Sequence, residues 1–101
     1  MSAVMSYSQV VEATIPRESW DETYFSLLSL KSHLQSLPGY QRIDVWAQSQ
    51  EGSMKLVVVT NWEYPEQLEQ WLKNGVTVDG ILKLVEPAPI SMTVDLFEEI
   101  A

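Results

Sequence analysis

The segment from Tyr40 to Glu63 constrains the fold more than any other part of the chain. Tyr40 to Gln48 alternates strictly, with Ile43, Val45 and Ala47 set against Arg42, Asp44, Trp46 and Gln48. That is the period-two signature of a strand with one buried side. Ser49 to Ser53, with Gly52, reads as a tight turn, and Met54 to Glu63 is apolar through its middle. The second run therefore predicts a central strand covered on both faces. Two strands joined by so short a turn pair antiparallel, so any sheet is built around this hairpin.

The flanks supply the remaining elements. Tyr7 to Ile15 is rich in β-branched residues and predicts a strand that Pro16 ends. Ser19 and Glu22 match a capping box at the head of a helix running to about Gln35. Leu37-Pro38-Gly39 stops it. Pro65 suits the first turn of a second helix, with Leu68, Trp71 and Leu72 on one side and Asn74-Gly75 at its end. Val76 to Leu84 predicts a short helix or turn, weakened by Gly80. Ser91 to Glu98 alternates again, Met92, Val94 and Leu96 against Thr93, Asp95 and Phe97. The order βαββαβ, with right-handed crossovers, predicts a ferredoxin-like α+β subunit with a four-stranded antiparallel sheet and both helices on one face. The 101 residues are the usual length of one domain. The uncovered face would carry Val10, Trp46 and Phe97 beside Glu12, Arg42, Asp44 and Asp95. Large aromatics among charges of both signs suit a partner subunit, so a two-fold homodimer through this face is expected.

Charge and composition remove whole classes of function. Six bases against 14 acids leave a net charge of −8. Such a surface repels phosphate backbones and anionic lipid, so neither nucleic acid nor a membrane surface is an expected partner. The absence of Cys removes disulfides, thiol catalysis and thiolate metal sites. One His excludes any site needing two imidazoles from one chain. No apolar run approaches a membrane span. Met1 to Gln9 has neither a basic start nor an apolar stretch, which predicts no secretory leader and a cytoplasmic location. There is no phosphate-binding Gly-rich loop, no GxSxG and no dinucleotide fingerprint. Against this, four Trp, four Tyr and two Phe must pack in a core, a pocket or an interface.

Leu37-Pro38-Gly39-Tyr40, and Thr60-Asn61-Trp62-Glu63-Tyr64-Pro65-Glu66-Gln67-Leu68-Glu69-Gln70-Trp71-Leu72, resemble the antibiotic biosynthesis monooxygenase family of dimeric α/β-barrel proteins. The resemblance spans roughly residues 7 to 98. It implies a homodimer with facing sheets and a small pocket between helices and sheet in each subunit. The family includes oxygenases that need no metal or flavin, haem-degrading enzymes, isomerase-like proteins and members with no known activity. Trp71 matches a Trp of the haem-degrading branch, but the position of its iron-ligating His falls near Ile81, and the first strand holds Gln9 and no Asn. Of the remaining donors, His33 is expected on the outward face, Met54 and Met92 in strands, and Tyr24 alone near the pocket. No haem binding and no cofactor are therefore expected. Trp62 could match a Trp of the cofactor-free oxygenases; Asn61, its neighbour on a strand, would point the other way.

On a helical wheel Trp20, Tyr24, Leu27, Leu28 and Leu34 form one stripe, with Lys31 inside it and His33 almost opposite. Lys31 has two readings: a stem lying on apolar surface with its amine in water, or a desolvated cation or base in the pocket. Trp62 and Trp71 either wall a pocket for a flat ligand or pack as ordinary core. Glu12 reads as one half of an ion pair with Arg42 or Lys55, or as a buried base. The functional expectation is a cofactor-independent monooxygenase acting on a small aromatic or quinol-like molecule. Lys31 and Trp62 would act on the substrate, and Tyr24, Leu28, Trp62 and Trp71 would surround it. The alternative is a non-catalytic dimeric module binding a small apolar molecule or a partner. An open cavity of ~300 Å³ with Lys31 on its wall would favour the enzyme.

Overall fold

The computed structural model describes residues 4–101; residues 1–3, part of the stretch read above for a leader, lie outside it. In chain order the elements are β1 (Ser6–Pro16), a 3-10 turn (Arg17–Ser19), α1 (Trp20–Leu34), β2 (Tyr40–Gln50), β3 (Ser53–Trp62), α2 (Pro65–Asn74), α3 (Val78–Leu82) and β4 (Ser91–Glu99). The strands form one antiparallel sheet in the order β2-β3-β1-β4. This is the ferredoxin-like α+β subunit that the order of signals predicts. No described helix is long and apolar enough to cross a membrane.

Register decides what each face carries. Val11 lies opposite Val58 and Val94, and Val10 opposite Val59 and Asp95. Gln9, Val11, Ala13 and Ile15 therefore share the helix-covered face with Leu56, Val58, Thr60 and Trp62. Ser8, Val10 and Glu12 share the other with Asn61, Val59 and Val57. Tyr40 pairs with Trp62, yet Arg42 pairs with Asn61. The extra residue, Gln41, is a bulge at the mouth of the sheet. The core joins Val11, Ile15, Leu56, Val58 and Trp62 to Leu27, Leu30 and Leu34 of α1, Leu68 and Trp71 of α2, and Val78 and Leu82 of α3. Each fully buried aliphatic side chain contributes about 1.5–3 kcal/mol.

Three expectations need correcting. The inward positions of the outer strands are not buried throughout: Ile43 is, but Val45, Ala47, Val94 and Leu96 are exposed. Strands of nine to eleven residues at ~3.3 Å per residue outrun helices at ~1.5 Å per residue, so the helices cover only part of the sheet. The buried face of α1 is Thr23, Leu27, Leu30 and Leu34, rotated by roughly a fifth of a turn from the predicted stripe. Thr23 can face the core because its hydroxyl donates to the Ser19 carbonyl, 2.8 Å away. Tyr24 and Leu28 are left about half exposed, at 47% and 45%. The capping box does not form: Ser19 has helical backbone angles and makes no cap bond. Its hydroxyl is fully buried and donates to the Pro87 carbonyl, tying the return loop to the head of α1. Ser19→Ala leaves that carbonyl unpaired and should lower stability by about 1–2 kcal/mol in urea denaturation, whereas loss of a surface cap would cost less.

Two further devices hold the chain's turns. The Arg17 guanidinium donates to Ser49 Oγ at 2.8 Å and to the Gln50 carbonyl at 2.5 Å, clasping the β2–β3 hairpin. Thr77 caps α3, its hydroxyl accepting from the Gly80 N–H at 3.2 Å.

Candidate functional site

The two central tryptophans arrive from different elements. Trp62 is the last residue of β3 and points to the helix side. Trp71 shares the buried face of α2 with Leu68, a helix that Pro65 starts and Gly75 ends through a 2.8 Å bond from its N–H to the Trp71 carbonyl. Both indoles are almost wholly buried, their ring centres 5.0 Å apart and tilted by 31°. Tyr40 sets its ring edge-on to Trp62 at 6.0 Å. Trp71 Nε1 donates to the Val76 carbonyl at 2.9 Å, which draws the chain after α2 back over the helix. Gly75 permits this: a Cβ there would fall 2.5 Å from the Trp71 ring.

Beside this pair lies an open cavity of about 290 Å³. Leu37 and Pro38 from the turn after α1 complete its apolar wall with Trp62 and Trp71. His33, Gln67, Gln70 and Asn74 supply its polar groups. His33 also borders a second cavity of about 350 Å³, between α1 and α3, lined by Ser26, Ser29, Leu30, Val76 and Ile81. The chain's one imidazole thus stands at the junction of two cavities. Trp62 Nε1 is buried without a hydrogen-bond partner.

The five residues expected to meet in one pocket do not. Tyr24, Leu28 and Lys31 line a separate shallow groove of about 200 Å³, with Leu27, Ile43 and Val45. The cause is the rotation of α1, which hangs these side chains over the exposed end of β2. Lys31 is exposed and forms no ion pair among the described residues. Trp62 and Trp71 do share a cavity; His33 is exposed, as the wheel predicts, and still borders that cavity. The stop signals Leu37-Pro38 and Asn74-Gly75 were the available hint, since both bring backbone to this corner. Glu12 is exposed on the open face, and Asn61 also faces that side, its Oδ1 accepting from Ser8 Oγ at 2.6 Å. Glu69 is exposed and its carboxyl is held below the usual carboxylate range by the hydrogen bond and charge of Lys73.

Burial raises the Tyr40 phenol above its ordinary value, opposed by a hydrogen bond from the Ile43 backbone and helped by the Asp44 charge. A raised folded-state value means the folded chain keeps a proton that the unfolded chain has lost. The related stability is present below the ordinary phenol value and declines as pH rises through the folded one. Stability measured across the alkaline range should therefore fall with pH, and Tyr40→Phe should flatten that part of the profile.

No family model and no curated protein matches this chain. Solved structures do. A candidate antibiotic biosynthesis monooxygenase from Nitrosomonas europaea superposes with a TM-score of 0.72 at 12% identity, over 96% of this chain and 92% of that one. A second, from Bacillus cereus, gives 0.71 at 12% identity over 96% and 95%. A haem-degrading protein from Mycobacterium tuberculosis, solved with two haems in its active site, gives 0.64 at 17% identity over 93% and 96%. The chain thus has the fold of these antibiotic biosynthesis monooxygenase structures along nearly its whole length.

Proposed function

We propose that this chain is a homodimeric domain that binds one small, flat aromatic or quinol-like molecule per subunit in the cavity beside Trp62 and Trp71. The observation that carries the reading is the paired, buried indoles on an open apolar cavity of about 290 Å³. That volume suits a molecule of one or two rings, and tilted aromatic walls favour a π-face over a chain. Titration with a naphthoquinol should quench tryptophan emission saturably, and Trp71→Phe should weaken the affinity several-fold. Quenching that rises linearly and never saturates would sink the reading.

A second reading is favoured by His33. In direct oxygenation the substrate's anion supplies the electrons that reduce O₂, so the protein has to provide a dry wall and a base. His33 is the titratable group on this cavity, and it replaces Lys31 in that role. Oxygen uptake with a bound quinol, lost in His33→Ala while binding persists, would support it. Equal uptake with and without the protein would leave the binding domain alone.

Dimerisation through the open sheet face is supported by what that face exposes. Trp46 and Phe97 are 66% and 57% exposed, among Val10, Val57 and Val59. Asn61 Nδ2 on the same face is buried with no acceptor. Exposed rings together with an orphaned donor are what a partner subunit would cover.

Haem does not fit these residues. His33 offers one nitrogen donor, but Ile81 offers none, and neither cavity that His33 borders is lined by a Lys or Arg to hold two propionates. Adding haemin should give no saturable Soret shift at one haem per chain. A stoichiometric shift that His33→Ala abolishes would show this argument to be wrong.

A further inference from the structure

Gln67 stands in the first turn of α2, on the wall of the Trp62–Trp71 cavity. Its amide is seated on Gly39, in the turn that opens β2. A Cβ built on Gly39 would fall 1.6 Å from Gln67 Oε1 and 2.1 Å from its amide carbon. Gly39 also has φ 79°, so the position favours glycine on two counts. Despite this close seat, the amide of Gln67 makes no hydrogen bond with any described residue, and Oε1 is buried with no donor. Only contact holds it in place.

A second orphan belongs to the same wall. Trp62 Nε1 is a buried donor with no acceptor. Two residues that line the cavity thus each carry a buried, unpaired polar atom, one a donor and one an acceptor, from β3 and α2. An unpaired buried group of this kind is destabilising until something completes it. A hydroxyl accepts and donates through a single oxygen, an ether only accepts, and a hydrocarbon does neither.

We propose that Gln67 is the specificity-determining residue of this cavity: its amide lifts from Gly39 and, with the Trp62 indole N–H, holds a ligand hydroxyl between them. The inference rests on the binding role proposed for the cavity and adds which edge of the ligand is read, and by what. It also explains why the shortest residue lies beneath a longer one: the bare Gly39 backbone gives the amide a resting place from which no hydrogen bond must be broken.

The test uses the full chain and three probes that share one ring system: 1-naphthol, 1-methoxynaphthalene and naphthalene. Affinities are measured by calorimetry for the native sequence, Gln67→Met and Trp62→Phe, each checked for a cooperative thermal melt. The native chain should bind the naphthol about tenfold more tightly than the ether. In Gln67→Met that ratio should fall to about twofold. Naphthol and ether binding the native chain equally would overturn the role of Gln67 while leaving the cavity's binding role intact. So would a preference that survives Gln67→Met. Failure of all three probes to bind would remove both. Trp62→Phe keeps an aromatic ring, smaller than the indole, and loses the N–H; a full native preference in that variant would refute the shared hydroxyl site.

Discussion

Trimming Trp71 to alanine is expected to lower stability by about 3–5 kcal/mol. The indole is 3% exposed, stacks on Trp62 and holds the chain after α2 through its 2.9 Å bond to Val76. Alanine would therefore open a void, release Trp62 on one side and free the loop that forms part of the cavity rim. For a domain with total stability of about 5–15 kcal/mol this is a large share. Urea denaturation followed by circular dichroism would measure it. Trp71→Phe retains a ring without the N–H and should cost less than half as much. Equal losses for the two variants would show that the bond to Val76 matters more than the packing.

The second large effect concerns assembly. With Trp46→Glu, a carboxylate replaces a ring that is 66% exposed in the isolated subunit, at a position flanked by Asp44 on the same strand. Central aromatic residues in interfaces commonly contribute 2 kcal/mol or more, so the dimer dissociation constant should rise by about 30-fold or beyond. Sedimentation velocity across a dilution series would read the shift directly. The fold should be unaffected, since Trp46 touches none of the helix-side core. A native chain that sediments as a monomer at micromolar concentration would instead remove the open face as an interface.

The strands were legible because their signal is local. Period-two alternation in Tyr40 to Gln48 and Ser91 to Glu98, and the unbroken apolar run in Leu56 to Val59, need no knowledge of partners. The antiparallel order followed from the short turn at Gly52 and the two helical crossovers. What failed were judgements that depend on partners. Ser19 fits the capping pattern of its neighbours, yet its hydroxyl donates to a carbonyl 68 residues away. Thr23, which the predicted stripe omits, faces the core because its hydroxyl donates to the Ser19 carbonyl within the helix. The buried face also takes in Leu30, which the predicted stripe omits, and leaves Tyr24 and Lys31 exposed; His33 is exposed as the wheel predicts. The Trp62–Trp71 half of the site was readable since both residues sit at apolar positions of their elements. Gln67 was not, because its significance lies in a contact with Gly39 that no periodicity encodes.

The alternation of β3 has a consequence for how such a chain can change over time. Asn61 belongs to the outer face and Trp62 to the cavity wall, one peptide apart, and Val59 and Thr60 divide likewise between the outer and the helix-covered face. Inserting or deleting a single residue upstream within this strand would exchange the two sets, sending Trp62 outward and Asn61 inward at one stroke. Binding wall and outer face can each drift by substitution, but neither can be shifted along the strand without inverting the other. Length variation is therefore confined to segments outside the ladder.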